Sequence, residues 1–406
     1  MQNTTQRLIV PDLARGMALL GIAMANAAQA WIINDWSEDS SRAGWSVGGV
    51  RPDDLLDQIC AVFAAMFVHV RGLPMFNTLL GFGFGLVVAS LFRKGYTHKE
   101  ARRILVRRYG ILALFGLLHL SLLFFGDIML TYGLVGVVMA FMLKVSTKWL
   151  RRISYWVLGI FAAFALFATA VQWFFEFDPT EVGLIPTAEL TTFADYFSAN
   201  LQMAVFVVPS LPFQVVQLAA LSILGFVWAQ EGVLTDVAAH RKTLKTWMWI
   251  AIGIIVLIGL PWGLTAAGVL PSNLETTFYL LNQALGLYTG PGILAAFALA
   301  TDNLHNEVPG WARAFVALGK RSMSGYLAQS FLFILLVVPA FLGIGNDASV
   351  SGKIGIGILV WLITLLLAVA LEAAGKQGPF EWAHRHLSYG KTGRIEPKRE
   401  NPRLEG

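Results

Sequence analysis

Long apolar segments recur along this chain, and short loops that concentrate its charged residues separate them. Each segment has roughly the 20 predominantly apolar residues that a helix needs to cross a hydrocarbon core of about 30 Å. The pattern predicts ten spans, at residues 14–34, 73–93, 104–125, 127–144, 153–174, 211–230, 247–270, 279–301, 322–344 and 354–374. A shorter amphipathic stretch, 54–70, is predicted to lie at the outer interface or to re-enter the bundle.

The predicted fold class is therefore all-α, a polytopic integral membrane protein with about ten transmembrane helices. Residues 1–390 are interpreted as a single helical transmembrane domain, and 391–406 as a basic, disordered cytoplasmic tail. With 56% hydrophobic and 14% charged residues, and a mean hydropathy of +0.63, the composition excludes a soluble protein.

Basic residues cluster in alternate loops, so their distribution predicts the topology. All but four of the 30 lysines and arginines fall on one side, the exceptions being Arg42, Arg51, Arg71 and Lys353. The positive-inside rule then places both termini in the cytoplasm, which agrees with an even number of spans. We expect a multi-pass protein of the plasma membrane, the bacterial inner membrane, in contact with membrane lipids. The net charge of +5 follows this topology and does not indicate a nucleic acid partner.

Two outer loops, at about residues 35–72 and 175–210, are longer than simple connections need. They are therefore predicted to cover an outward-facing site. The single cysteine, Cys60, excludes an intramolecular disulfide. The chain has no Walker A loop, no GxSxG elbow and no metal-ligand spacing such as HExxH, so no metal site is predicted.

The first span carries a polar stripe on an otherwise apolar helix. Asn26 follows Arg15 by eleven residues, which places the two within roughly 20° of each other around the axis, with Asp12 about 40° away. Polar groups inside a bilayer usually face a bundle interior or a watery cavity. Asp12 and Arg15 either pair at the cytoplasmic interface, with Arg15 as a topogenic charge, or line a cytoplasmic vestibule.

The third span offers the best candidate for acid–base chemistry. His119 lies inside the span, and Asp127 follows at its outer end, about 80° around the axis and roughly 12 Å along it. A bend at Gly126 would bring them closer. A carboxylate partner would orient the imidazole as a general base. The alternatives are a histidine that bonds a neighbouring helix, or a gating or proton-relay residue.

Two further groups of residues have structural interpretations beside functional ones. In the ninth span Ser322, Tyr326, Gln329 and Ser330 recur at helical spacing, a pattern that also suits interhelical hydrogen bonds. The glycines of the FGFG motif at 82–85, with Gly81 before them, are predicted to be helix-packing contacts rather than a phosphate loop, because no strand precedes them.

Four blocks of sequence together resemble a known family: Asp12-Leu13-Ala14-Arg15-Gly16 with Gly21 and Asn26; Gly116-Leu117-Leu118-His119 with Gly126-Asp127-Ile128 and Tyr132; Leu318-Gly319-Lys320 with Tyr326 and Gln329-Ser330; and Gln377-Gly378-Pro379-Phe380-Glu381-Trp382 with Arg385. In order and spacing they resemble the YeiB-like bacterial membrane family, a domain of unknown function, over about residues 7–390. That family is similar, more distantly, to a superfamily of transmembrane acyltransferases that includes the heparan glucosaminide acetyltransferase and bacterial O-acetylases.

The resemblance implies transfer of an acyl group from cytoplasmic acyl-CoA to an extracytoplasmic glycan, glycolipid or small metabolite. On this hypothesis His119 acts as a base or transient acyl carrier, and Asp127 orients it. Donor or substrate binding is assigned to Asp12, Arg15, Asn26, Tyr326 and Gln329. Acyl-CoA is then a co-substrate, and no tightly bound cofactor is expected.

Two other functions remain open from the sequence. In a transporter or exporter of a small solute, Arg15 and Asn26 would line a pathway while His119 and Asp127 relay protons. In a membrane scaffold or sensor, the buried polar groups would be purely structural. The sequence does not decide among these, nor whether the protein forms a homodimer.

Overall fold

The computed structural model describes residues 9–39, 41–175, 185–302 and 308–398, and within these ranges the chain forms helices and no strands. The α-helices are α1 (Ile9–Asn26), α2 (Asp35–Glu38), α3 (Leu55–Phe63), α4 (Gly72–Arg93), α5 (His98–Leu122), α6 (Met129–Phe141), α7 (Thr147–Val171), α8 (Phe193–Val207), α9 (Leu211–Glu231), α10 (Arg241–Ile254), α11 (Leu260–Ala266), α12 (Glu275–Leu285), α13 (Thr289–Ala300), α14 (Gly310–Lys320), α15 (Ser322–Val337), α16 (Val350–Ala373) and α17 (Pro379–Tyr389). The predicted all-α fold class is confirmed.

Within the described ranges, eight helical segments are long and apolar enough to cross a membrane: Ile9–Trp31, Leu55–Arg93, His98–Leu122, Thr147–Val171, Phe193–Glu231, Arg241–Ala266, Ser272–Ala300 and Val350–Ala373. Two shorter apolar helices, α6 and α15, coincide with the predicted fourth and ninth spans. Every predicted span thus contains a helix, while the count of ten and the cytoplasmic termini stay predictions. Residues 399–406 of the predicted tail lie outside the described ranges.

The stretch 54–70 follows the re-entrant alternative. Helix α3 continues as a π-helical turn, Ala64–Val68, and α4 begins after a break at residues 69–71. At one end, Asp57 accepts a hydrogen bond of 2.9 Å from the Ser349 hydroxyl near the start of α16. At the other end, the backbone of Gly72 lies against Ala18, halfway along α1. The chain therefore enters the bundle before it turns into α4. The predicted outer loop 35–72 contains α2 and α3, and the predicted outer loop 175–210 contains α8.

Arg71 holds this break together. Its side chain is buried, and it donates hydrogen bonds to the carbonyl oxygens of Met66 (2.9 Å) and Ala65 (3.2 Å) and to Oδ1 of Asn282 on α12 (2.7 Å). The last carbonyls of a helix lack partners within the helix and carry partial negative charge. The Arg71 guanidinium gives these carbonyls hydrogen-bond donors and a nearby positive charge, so Arg71 has a structural role.

Helices α4 and α9 pack backbone against backbone. A Cβ added to Gly81 would lie 1.8 Å from the Ser222 carbonyl oxygen, and one added to Gly225 would lie 2.0 Å from the Thr78 carbonyl oxygen. Small residues allow this close approach, on which helix association in lipid depends. Gly85 also faces α9. The predicted packing role is confirmed for Gly81 and Gly85, whereas Gly83 faces the side chain of Arg15, whose Nη2 would lie 3.2 Å from an added Cβ.

Helix α1 makes a similar contact with α14. The contact lies at the basic end of the bundle, where Arg15, Arg93, Arg108, Lys320 and Arg385 lie. A Cβ on Gly319 would lie 1.8 Å from the carbonyl oxygen of Asp12, and one on Gly16 would lie 2.2 Å from that of Phe315. Because α15 follows α14 directly, this contact places Asp12 and Arg15 beside the start of α15.

Helix α17 closes the basic end against α5 and α15. Oε1 of Glu381 accepts hydrogen bonds from the backbone N–H groups of Met323 (2.7 Å) and Ser324 (3.1 Å) in the first turn of α15. A carboxylate is favourable there because the N-terminus of a helix carries unpaired donors and partial positive charge. The Gln377–Trp382 block thus fixes α15 at one end of the bundle.

Candidate active site

His119 and Asp127 lie side by side because the chain reverses between them. Helix α5 ends at Leu122, and the carbonyl oxygen of His119 accepts hydrogen bonds from Leu123 N (2.9 Å) and Phe124 N (2.8 Å). The turn brings Oδ2 of Asp127 to 2.7 Å from Nδ1 of His119. The two residues are thus adjacent instead of about 12 Å apart along one axis.

The orientation of Asp127 is fixed from a second direction. Its Oδ1 accepts a hydrogen bond of 2.7 Å from the backbone N–H of Leu130, in the first turn of α6. This carboxylate therefore caps α6 with one oxygen and orients the imidazole with the other. Both His119 and Asp127 are buried.

A third residue, Ser330 on α15, completes the arrangement. Its Oγ lies 2.8 Å from Nε2 of His119, and its side chain is also buried. We assign the imidazole proton to Nδ1, because the carboxylate of Asp127 can only accept there. Nε2 then carries a lone pair that faces the Ser330 hydroxyl. The chain Asp127–His119–Ser330 is therefore arranged to withdraw a proton from that hydroxyl.

Aromatic rings cover the imidazole on two sides. The centroid of the Tyr326 ring lies 5.2 Å from that of His119, and the Phe124 ring lies 6.2 Å away. Phe124 in turn stacks on Trp31 at 4.6 Å, and Trp31 stacks on Phe333 at 5.2 Å. These rings separate His119 from a cavity on each side.

A large cavity of about 1380 Å³ reaches from the basic end towards Tyr326. Basic side chains from five helices line it, namely Arg15, Arg93, Arg108, Lys320 and Arg385. Four carboxylates line it as well, namely Asp12, Asp236, Asp302 and Glu381. Of these, Asp12 contacts Arg15 at 3.4 Å, Asp302 contacts Arg241 at 3.7 Å, and Glu381 caps α15.

The inner end of this cavity is apolar and aromatic. Its lining there comes from α1, α4, α6 and α15, with the residues Leu19, Ile22, Phe76, Ile128, Met129, Tyr132 and Tyr326. The rings of Phe76 and Tyr132 stack at 5.8 Å. The cavity thus changes from charged to apolar as it approaches the ring that covers His119.

A much smaller cavity of about 40 Å³ lies on the far side of Phe124. Trp31, Thr187, Tyr196 and Asn200 are among its lining residues. A cavity of this size has room for only a few water molecules. His119 and Ser330 line neither cavity, so a reacting group reaches them only after an aromatic ring moves.

The structure brings only part of the predicted site together. Asp12 and Arg15 pair and also line the large cavity, whereas the topogenic role of Arg15 and the cytoplasmic side of the cavity stay predictions. Tyr326 lies between this cavity and His119. Gln329 instead donates a hydrogen bond of 3.3 Å to the Leu19 carbonyl oxygen and joins α15 to α1. Asn26 is half-buried and lines neither cavity, because the part of α1 that lines the large cavity ends one turn earlier, at Ile22.

Sequence reasoning did not connect Ser330 with His119. The serine was recognised as part of a polar face on the ninth span, but 211 residues separate it from His119. No local pattern shows that α15 lies against the end of α5. Within the described ranges, no group of three or more histidine, cysteine or acidic side chains forms a metal-binding cluster.

His384, on α17 outside the spans, lines the large cavity, and its Nε2 lies 2.9 Å from the Arg108 carbonyl oxygen. Burial lowers the pKa of His384 to about 4, and the positive charge of Arg108 acts in the same direction. An unfolded chain has a histidine pKa of about 6.5, so protonation favours unfolding. The stabilising contribution is present above about pH 6.5 and is lost as the pH falls towards 4.

We therefore expect the His384→Gln variant to lose less stability than the original protein on acidification. Between about pH 7 and pH 4, the free energy of unfolding of the original protein should fall by of order 3 kcal/mol more than that of the variant. Thermal or denaturant unfolding in detergent at both pH values measures it, with His386→Gln as the control histidine on the same helix. Equal losses in the His384→Gln variant and the original protein would contradict the prediction.

Comparison with known proteins finds one family model and several relatives that are similar to this chain. The model of the family described as "Protein of unknown function (DUF418)" matches residues 228–391. The chain is 24% identical to the uncharacterized protein YxaH of Bacillus subtilis, over 95% of each chain. It is 23% identical to the uncharacterized protein YeiB of Escherichia coli, over 96% of this chain and 98% of YeiB.

The predicted resemblance to the YeiB-like family is thus confirmed, whereas the similarity to the acyltransferase superfamily stays a prediction. The matched segment contains α15 and α17, with Ser330 and Glu381, but not the turn that carries His119 and Asp127. No solved structure matches the chain.

Proposed function

We propose that this membrane protein, a relative of YeiB and YxaH, is an acyltransferase with His119 as its general base. The observation that carries the proposal is the buried chain Asp127–His119–Ser330, which lies between a large cavity with basic walls and a small cavity at the opposite side. An imidazole that a carboxylate orients and whose free nitrogen faces a hydroxyl is the arrangement that activates hydroxyls for attack on a carbonyl carbon.

The large cavity suits a coenzyme A thioester as the acyl donor. Coenzyme A carries phosphate groups, which arginine binds by charge-assisted and often bidentate hydrogen bonds. The apolar inner end would hold the acyl end of the donor near Tyr326. A volume of about 1380 Å³ exceeds that of common ligand pockets, about 300–1,000 Å³, as a long donor requires. On the predicted topology the basic end faces the cytoplasm.

The acceptor would approach from the opposite side, past Phe124. Its hydroxyl or amine would lose a proton to His119, and the departing thiolate of the donor would gain one. The acceptor class is the one that the predicted resemblance to transmembrane acyltransferases implies, an extracytoplasmic glycan, glycolipid or small metabolite. Movement of Tyr326 and Phe124 would admit the donor and the acceptor to the imidazole.

The decisive experiment gives radiolabelled acetyl-CoA to the purified full-length protein in lipid nanodiscs. Release of free coenzyme A and labelled acetate or ester supports the proposal, and direct titration with coenzyme A measures binding independently of turnover. Absence of both binding and turnover would refute it. Solute uptake into proteoliposomes that His119→Gln abolishes, without acyl transfer, would establish the transporter alternative instead.

The contribution of Arg15 provides a further prediction. In the Arg15→Gln variant we expect the KM for acetyl-CoA to rise about 10- to 150-fold, the effect of losing one charge-assisted hydrogen bond of roughly 1.5–3 kcal/mol. The kcat should change little, because the guanidinium is not in contact with His119. Steady-state kinetics measures both constants. Arg107→Gln is the matched control, because this exposed arginine on α5 does not line the cavity. Equal effects in both variants would show that only overall charge matters.

A further inference from the structure

The hydroxyl of Ser330 lies against an imidazole nitrogen of another helix and does not make the backbone bond that is common for a hydroxyl within a helix. A hydroxyl within a helix commonly bonds the carbonyl oxygen four residues earlier. The Oγ of Ser121 does so, at 2.8 Å from the Leu117 carbonyl oxygen, and Thr78 does so with Pro74 at 2.9 Å. The Ser330 hydroxyl instead lies 2.8 Å from Nε2 of His119.

The three side chains together have the connectivity of a nucleophile, a base and an orienting acid. The carboxylate lies at Nδ1 of the imidazole and the hydroxyl at Nε2, both within 2.8 Å. This is the order by which serine nucleophiles are recognised on unrelated folds, by geometry and not by sequence position. Here the three residues come from the end of α5, the turn after it and the middle of α15.

We propose that Ser330 is the nucleophile of the transfer and carries the acyl group as an ester. This inference rests on the proposed acyltransferase function. In the first half-reaction, Oγ of Ser330 attacks the thioester carbonyl carbon while Nε2 of His119 takes the hydroxyl proton. The C–S bond then breaks, the imidazolium returns its proton to the thiolate, and free coenzyme A leaves an acyl-serine.

In the second half-reaction, the acceptor hydroxyl or amine attacks the ester carbonyl carbon as His119 takes its proton. The bond between that carbon and Oγ of Ser330 breaks, and the imidazolium returns the proton to Oγ. Serine is thereby regenerated, and no oxidant, reductant or metal is needed. Asp127 stabilises the imidazolium in both halves by its hydrogen bond to Nδ1.

The placement of the site between two separate cavities favours a covalent carrier. Donor and acceptor approach from opposite sides, and the rings of Tyr326 and Phe124 stand between His119 and each cavity. Direct transfer would require both rings to move at once, with both substrates present. An acyl-serine allows the two halves to occur in turn, each with only one side open.

The test mixes the purified full-length protein with labelled acetyl-CoA in the absence of acceptor, and quenches it in acid. We expect peptide mass spectrometry to find one acetyl group on the peptide that contains Ser330. The Ser330→Ala variant should lose this adduct, and its transfer rate should fall by about 10³-fold or more. Ser330→Cys should give a thioester adduct that hydroxylamine cleaves at neutral pH. Ser121→Ala, the matched control, should keep both the adduct and the rate.

Each other outcome has a defined meaning. An acetyl group on His119 in place of Ser330, transfer by Ser330→Ala at the original rate, or transfer by the original protein with no trapped adduct would each overturn the nucleophile assignment. These outcomes leave the acyltransferase function intact. Failure of the original protein to bind or turn over acetyl-CoA would refute the function itself, and this inference with it. Coenzyme A binding and the thermal midpoint of Ser330→Ala show whether that variant is folded.

Discussion

The His119→Gln variant is expected to retain donor binding and to lose acyl transfer, with kcat reduced by about 10³-fold or more. General acid–base catalysis by a positioned side chain contributes typically about 10²–10⁴-fold. Glutamine still donates an N–H towards Asp127, so the buried carboxylate keeps a partner. It offers no titratable nitrogen to Ser330. The measurement is single-turnover transfer from acetyl-CoA, together with titration of coenzyme A.

His386→Gln is the matched control for this variant, because His386 lies on α17 and lines neither cavity. Its kinetics should equal those of the original protein. A His119→Gln protein that keeps more than about a tenth of the original kcat would exclude general-base catalysis by this residue, given the typical contribution above.

The Asp127→Asn variant is expected to fold normally and to lose about 10²–10⁴-fold in kcat. The amide oxygen can still accept the hydrogen bond from Leu130 N, so the cap of α6 survives. An amide that donates to Nδ1 reverses the tautomer of His119, and Nε2 then carries a proton towards Ser330 instead of a lone pair. Transfer kinetics measures the loss, and thermal unfolding shows that the fold is retained.

Asp54→Asn separates capping from catalysis. Asp54 caps α3 by accepting a hydrogen bond of 2.9 Å from Leu56 N, and it has no contact with the candidate site. Its substitution should affect only stability, by less than about 1 kcal/mol, because asparagine is also a good N-cap. If Asp127→Asn reduces kcat no more than Asp54→Asn does, the orienting role of Asp127 is wrong.

The polar stripe of the first span has a more limited role than its pattern indicated. Asp12 and Arg15 line the large cavity at the basic end, whereas Asn26 faces neither cavity. The helical spacing holds, because α1 is one continuous α-helix from Ile9 to Asn26, but the part of α1 that lines the large cavity ends at Ile22. A π-helical turn, Ala27–Trp31, follows α1, and Trp31 stacks on Phe124, one of the rings that cover His119.

Helices α8, α14 and α17 lie outside every predicted span, but the sequence by itself predicted the other long apolar helices and their approximate bounds. Their apolar length reports directly on the thickness of the membrane core, which is a local property of the chain. It also suggested that a bend between His119 and Asp127 would bring them closer, but only the structure showed that α5 ends at Leu122 and that the two side chains bond. The packing role of Gly81 was predictable for a similar reason, since small residues inside an apolar span mark close helix contacts.

Only the tertiary structure decided which polar groups meet. Ser330 reaches His119 because α15 packs beside the end of α5, and the large cavity forms because five helices bring basic side chains to one end of the bundle. Contacts between helices depend on the shapes of faces that lie far apart in sequence, and hydrophobic periodicity carries no information about which faces pair. In a membrane, lipid is as apolar as the helix surface, so close packing and interhelical hydrogen bonds select the partners.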